Sequence, residues 1–351
     1  MIERPDLAHL PPEVIAYIES LESELARNRR RETLAKSIEL EPPPLVPSEP
    51  PALVPSEPPT SINIITLTAQ GSLKRTPRHL YQRQRRGGMG IFDLDTPESD
   101  PPAVLTTADE SQSILLFTDQ ARAFRLPVAQ IPSEPVRGRG QSLALKLGLL
   151  PDERMVAALP DQAKGAVALA SERGMVRYLR HHVFGEYMKP GTAMFNPKQF
   201  GRLVAVCHTP GDGDLFIATR RGKAIRFSEK LIPPQGGPGI RLEEGDAVVS
   251  ITAVNDESGV FLIDEEGDGT IRLMSAFNPN KSAGGGGKIA MHTDRLVTAV
   301  TLAERADIFI ISRLSKIIRI LADEVPAKEG VVQGVHCMML RSDEVVSATI
   351  S

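Results

Sequence analysis

From Ser61 onward one short phrase recurs six times, and any fold for this chain must accommodate all six copies. The phrase is an apolar strand, a polar turn that often holds Gly, and a second strand carrying Arg. It reads TLTAQGSLKR (66–75), LFTDQARAFR (116–125), LASERGMVR (169–177), IATRRGKAIR (217–226), LIDEEGDGTIR (262–272) and IISRLSKIIR (310–319). The closing arginines, Arg75, Arg125, Arg177, Arg226, Arg272 and Arg319, lie 50, 52, 49, 46 and 47 residues apart. A glycine follows each of them 13–15 residues later: Gly90, Gly140, Gly191, Gly239, Gly287 and Gly334. Short strands repeating at this period indicate blades of a propeller-like ring. A lone hairpin cannot cover its own apolar face, so the units must pack side by side. The expected fold is all-β, a ring of six blades over 61–351.

Within each unit the pattern predicts two hairpin strands, a variable loop, the Gly mark and an apolar strand. The strands after the mark are expected at Ile91-Phe92, Leu143-Ala144-Leu145, Met194-Phe195, Ile240-Arg241-Leu242, Ile289-Ala290-Met291 and Val335 to Met338. Ahead of the ring the chain divides into a tail (1–12), a helical segment (13–41) and a proline-rich linker (42–60). Val14, Ile18, Leu21 and Leu25 fall on one helical face, a stripe that either pairs with a second helix or frays alone. Nine of the 19 linker residues are Pro, with LVPSEPP in tandem. Such a segment is an extended arm of about 60 Å at ~3.1 Å per residue, or a ligand for a proline-reading domain.

Charge becomes informative once it is divided. The whole chain is at −3, with residues 1–60 carrying 6 basic and 11 acidic side chains. Residues 61–230 carry 24 basic against 16 acidic, and 231–351 carry 11 against 17. A polarised ring steers a polyanion through its local field, whatever the total charge. Gly71 to Gly90 is the extreme stretch, with Lys74, Arg75, Arg78, Arg83, Arg85, Arg86 and no acid. No long apolar run or signal-peptide pattern is present, and two widely spaced cysteines suit a reducing cytoplasm. GGGGK at 284–288 lacks the Gly and the Ser or Thr of a phosphate-binding P-loop. The His181-His182 pair and the Asp-rich turns lack metal-ligand spacing, so neither a metal nor a cofactor is expected.

Gln84-Arg85-Arg86-Gly87-Gly88-Met89-Gly90 occupies the Gly mark of the first unit. Glycines bare the backbone for close approach of phosphate, and adjacent arginines supply planar donors for its oxygens. With this box inside a six-unit ring, the chain resembles the C-terminal DNA-wrapping domain of gyrase A proteins, a six-bladed β-pinwheel. The box positions are Gln84, Arg85, Arg86, Gly87, Gly88 and Gly90; Met89 stands where that family places Lys or Arg. More weakly, 14–41 resembles the end of the coiled coil in those proteins. The resemblance implies sequence-nonspecific binding and bending of double-stranded DNA as an accessory to a type II topoisomerase. It also implies a cytoplasmic, nucleoid-associated location.

The catalytic half of such a protein has no counterpart here, and Arg177-Tyr178 reads as a blade position, so no autonomous catalysis is expected. Expected DNA contacts are the box, Lys74, Arg75, Arg78, Arg83, Arg125, Arg137, Arg139, Arg177, Arg226 and Lys288. The closing arginines among them either line the ring's edge or hold neighbouring blades through backbone hydrogen bonds. Expected partners are DNA, the catalytic gyrase A-type chain of a type II topoisomerase, and a second copy through 13–40. The rival reading is a protein-binding ring whose box serves only to hold it together.

Overall fold

The computed structural model describes residues 11–37 and 57–351, with helix side chains described only as far as Leu25. The chain divides into two units, one ending at Leu53 and the other beginning at Val54. In the first, an α-helix spans Pro12–Ser37. Val14, Leu21 and Leu25 of its stripe are exposed. The tail up to residue 10 and the linker through residue 56 lie outside the described residues.

The second unit consists of six sheets, antiparallel but for one two-residue strand on the fifth. The first shows how each is made. Ile62–Thr68 and Ser72–Pro77 form the hairpin. The chain then leaves the sheet and returns as Pro102–Asp109, which pairs with Ile62–Thr68 from the inside. These inner strands, Pro102–Asp109, Met155–Pro160, Leu203–Thr209, Val248–Val254, Leu296–Thr301 and Val345–Ile350, pack in a closed circle. They line a central channel of about 690 Å³. Apart from the C-terminal strand, periodicity does not single them out.

The excursion between hairpin and inner strand does the joining. Each blade's outer rung comes from the following unit: Gln141–Ser142 lies on blade 1, Thr192–Ala193 on blade 2, Gly237–Pro238 on blade 3 and Lys288–Ile289 on blade 4. Blade 5 receives Val335–His336, with Ala327–Lys328 alongside in parallel. Blade 6 receives Ile91–Phe92 from the first unit, which closes the ring. The rungs are two residues long and in units 2 to 5 start earlier than the apolar pattern predicts. Leu143-Ala144-Leu145 instead leads into the short helix Ala144–Leu147.

Apolar side chains fill the spaces between neighbouring blades. The five boundaries from blade 1/2 to blade 5/6 each hold a cluster of 12 to 14 buried hydrophobic residues. The boundary between blades 6 and 1 holds six: Ile64, Tyr81, Leu105, Phe309, Ile311 and Ile317. Hydrophobic burial therefore contributes least where the ring closes, and polar groups take over.

Candidate nucleic-acid interface

At the closing seam two buried carboxylates organise the polar groups. Asp93 follows the rung Ile91–Phe92, and Ser315 O accepts its N–H at 2.7 Å. Its carboxylate accepts from Thr66 Oγ1 and Tyr81 Oη, each at 2.7 Å, and pairs with Lys74 Nζ at 2.9 Å. Lys74 also donates to the Asp93 and Pro135 carbonyls. Burial pushes the Lys74 ammonium below its ordinary pKa, and Asp93 opposes that shift. Lys74 is fully buried and saturated, so the expectation that it touches DNA is corrected. The second carboxylate, Asp307, takes Arg319 Nε and Arg83 Nε at 2.9 Å each. Glu57 receives Arg319 and Arg78. Burial acts to raise Glu57, but those two guanidinium hydrogen bonds leave its pKa below the ordinary value.

The box is threaded through this seam by its backbone. Gln84 N–H donates to Arg319 O (2.8 Å), Gly87 N–H to Cys337 O (2.9 Å), and Gly88 O accepts from Met339 N–H (2.9 Å). Gly87 and Gly90 sit at φ +80° and +70°, conformations that L side chains rarely adopt. A Cβ on Gly90 would lie 2.7 Å from Ile317 O. With the backbone held, the arginines face outward. Arg85 is exposed, and among the described residues its side chain has no bonded partner. Arg86 is exposed; its N–H reaches Glu324 and its Nη1 the His336 carbonyl. Among the described residues neither is consumed by an ion pair.

The closing arginines divide by register. In the hairpins, Arg75 opposes Ile65, Arg125 opposes Leu115, Arg226 opposes Phe216 and Arg319 opposes Phe309. These four share one place, and three of them brace the short 3-10 turn of the next unit. Arg75 Nε donates to Ile131 O, Arg226 Nη1 to Met274 O and Phe277 O, and Arg319 Nη1 to Arg78 O and Tyr81 O. Arg125 turns to Asp161 at 2.7 Å, where His181 also bonds. Arg75 and Arg226 are buried and fully engaged, so they too are corrected from DNA contacts to braces.

Arg177 and Arg272 are out of step. Arg177 opposes Leu169, one place early, and Tyr178 stands at the brace position. Arg272 opposes Val260, one place late, and Ile271 stands there. A one-residue slip sends a side chain to the other face of its sheet. Arg177 Nε and Arg272 Nε and Nη1 are accordingly buried without a hydrogen-bond partner among the described residues. The slip is visible in phrase length: these two copies have nine and eleven letters, the others ten.

Of the remaining expected contacts, Arg78 and Arg83 are tied into the seam. Arg137 is exposed at φ +68°, and Arg139 is exposed with a surface pair to Asp95. Lys288 is exposed on the rung of blade 4. Arg85, Arg86, Arg137, Arg139 and Lys288 thus lie on the loops and rungs that form the outer rim. Lys189 and Arg241, beside Gly191 and Gly239, are also exposed there and unpaired among the described residues. Their place beside the Gly mark is the signal that could have found them, and a charge count alone passes over it.

A family model described as the DNA gyrase C-terminal domain, beta-propeller, matches residues 63–100, 112–160, 213–255 and 306–351, together half of the chain. The chain belongs to this family. The matched stretches are units 1, 2, 4 and 6, the four whose closing Arg keeps the common register. The DNA gyrase A protein of Staphylococcus epidermidis (strain ATCC 12228 / FDA PCI 1200) is 28% identical over 298 residues, covering 81% of this chain and 33% of that protein. Its counterpart from Staphylococcus aureus (strain NCTC 8325 / PS 47) is also 28% identical over 298 residues, covering 81% and 34%. The chain spans about a third of the length of these curated relatives. A solved DNA gyrase A C-terminal domain shares the fold at TM-score 0.73 and 20% identity, over 82% of this chain and 99% of its own. The C-terminal domain of DNA topoisomerase IV follows at 0.59 and 21%, over 83% and 93%. No described helix is long and apolar enough to cross a membrane.

Proposed function

We propose that this gyrase C-terminal-type ring binds duplex DNA on its outer rim and bends it, as an accessory to a type II topoisomerase. The observation that carries the reading is the box: its backbone is bonded into the seam while Arg85 and Arg86 stay exposed and, among the described residues, free of ion pairs. Bending a short site by 40–90° costs about 1–6 kcal/mol, so contacts must be spread along the arc. Arg85, Arg86, Arg137, Arg139, Lys189 and Arg241 supply them across units 1 to 4. Phosphate contacts of this kind read little sequence. The partner proposed is a catalytic gyrase A-type chain, and the exposed stripe Val14, Leu21, Leu25 is the surface proposed for self-association.

The test is binding to a mixed-sequence duplex over a salt series, beside an Arg85→Ala/Arg86→Ala variant. A slope of log K on log salt of about −4 or steeper, flattened by the variant, is expected at ~0.9 per phosphate neutralised. No binding at low salt would sink the proposal. A second reading draws on the glycines: ring closure by itself demands Gly87 and Gly90, as in a protein-binding ring. A partner that binds just as tightly at high salt would favour it, and copurification with a catalytic gyrase A-type chain would favour the first.

A further inference from the structure

Arg272 occupies a core position. The same register is held by Leu126 in blade 2, Phe227 in blade 4 and Ile320 in blade 6, all buried and apolar. Arg272 is only 6% exposed, at the boundary between blades 4 and 5, and its Nε and Nη1 have no hydrogen-bond partner among the described residues. Its Cζ lies 5.7 Å from the centroid of the Phe277 ring. Lys288 Nζ lies 4.1 Å from the same ring. Two cations therefore share one phenyl ring. Arg226 nearby is already neutralised by Asp214 and Asp256. Burial lowers the pKa of Arg272, and Glu329, which favours the charged form from a distance, is the smaller influence. Burial, with Arg272 and Arg226, depresses the Lys288 ammonium, as expected where positive charge has accumulated uncompensated. A buried guanidinium without a counter-ion is unfavourable unless something supplies the anion.

We propose that Arg272 and Lys288 form a binding site for a phosphate-class oxyanion at the blade 4/5 boundary. The guanidinium supplies uncompensated positive charge just beneath the surface, and Lys288, exposed on the outer rung, provides the second charge and the donor that reaches solvent. The anion is either a free phosphate or a backbone phosphate of DNA on the rim. In the second case the DNA track reaches blade 5, despite the acidic surplus after residue 231.

The experiment uses the full chain, Arg272→Met and Lys288→Gln. Thermal unfolding is followed against inorganic phosphate, with chloride holding ionic strength constant. The wild-type Tm should climb with the logarithm of phosphate concentration once the site fills. Arg272→Met should lose the climb and Lys288→Gln should weaken it; because Lys288 is exposed, that variant keeps the core intact. In the DNA arm, a salt slope shallower by ~0.9 in Arg272→Met assigns the site to a backbone phosphate. An unchanged slope alongside the phosphate response assigns it to the free oxyanion. A wild-type Tm indifferent to phosphate, together with an unchanged slope, overturns the proposal. The phosphate arm stands apart from DNA wrapping, so either idea can fail alone.

Discussion

Arg319 and Arg272 close the same repeated phrase, yet one holds the ring shut and the other sits among apolar side chains with nothing to bond. At the blade 6/1 seam Arg319 meets Asp307, Glu57 and two turn carbonyls. At the blade 4/5 boundary the brace position falls to Ile271, and Arg272 takes the next place, on the opposite face. The difference is one residue of spacing. A repeat in the letters is a repeat in space only when each residue keeps its distance from the turn, because strand faces alternate with a period of two.

The largest expected effect tests the seam directly. Arg319→Met leaves the Asp307 carboxylate buried with only Arg83 and should cost about 3–5 kcal/mol in urea unfolding. Arg272→Met, measured the same way without phosphate, should be neutral or stabilising. Equal losses at both sites would break the comparison. Next comes Gly90→Ala, which forces a side chain into a left-handed conformation against Ile317 O and should cost ~1–3 kcal/mol. Hydrogen exchange at the Ile317 amide, which faces Ile91 of the rung, should accelerate in that variant; protection at the wild-type level would show that the rung tolerates a Cβ.

A pH series sharpens the blade 5 side. Burial in the hairpin turn raises the Asp264 carboxyl to about 6 from an ordinary 3.8. The folded chain therefore holds this proton more tightly than the unfolded chain. Stability from this group is full below about pH 4, falls as pH rises toward 6, and stays lower above it. Asp264→Asn should flatten that window and gain up to ~3 kcal/mol at neutral pH. Identical pH curves for the two proteins would remove Asp264 from the account. The smallest effect belongs to Arg139→Ala. Its pair with Asp95 is exposed, so urea unfolding should stay where it is while the DNA salt slope becomes shallower.

Much of this molecule is legible in its letters, and the limits have physical causes. Six blades follow from the recurrence of arginine and glycine, and the box at the first Gly mark from its composition. The strand exchange is hidden, because a two-residue rung carries no periodicity and its partner lies in another unit. Lys74 looks like a DNA contact because Asp93, which buries it, is 19 residues along the chain, beyond the rung. Aligning the phrases on their arginines conceals the slips in units 3 and 5, although phrase lengths of nine and eleven record them. The outward placement of Arg85 and Arg86 follows in kind from their place beside glycine, but its reason lies elsewhere: the box backbone is committed to bonding across the seam.

The borrowed rung also sets a timetable for folding. As the chain emerges from synthesis, each blade is completed when the next unit arrives, so blades 1 to 5 finish in order. The sixth must wait for Ile91–Phe92, made long before and left without its edge until Lys316–Leu321 exists. Closure is thus the contact of greatest sequence separation and the last to form. Until then every molecule offers a loose rung at one end and a bare strand edge at the other, complementary to those of its neighbours. Crowded nascent chains are therefore expected to link head to tail before they close on themselves, whereas dilute ones form rings.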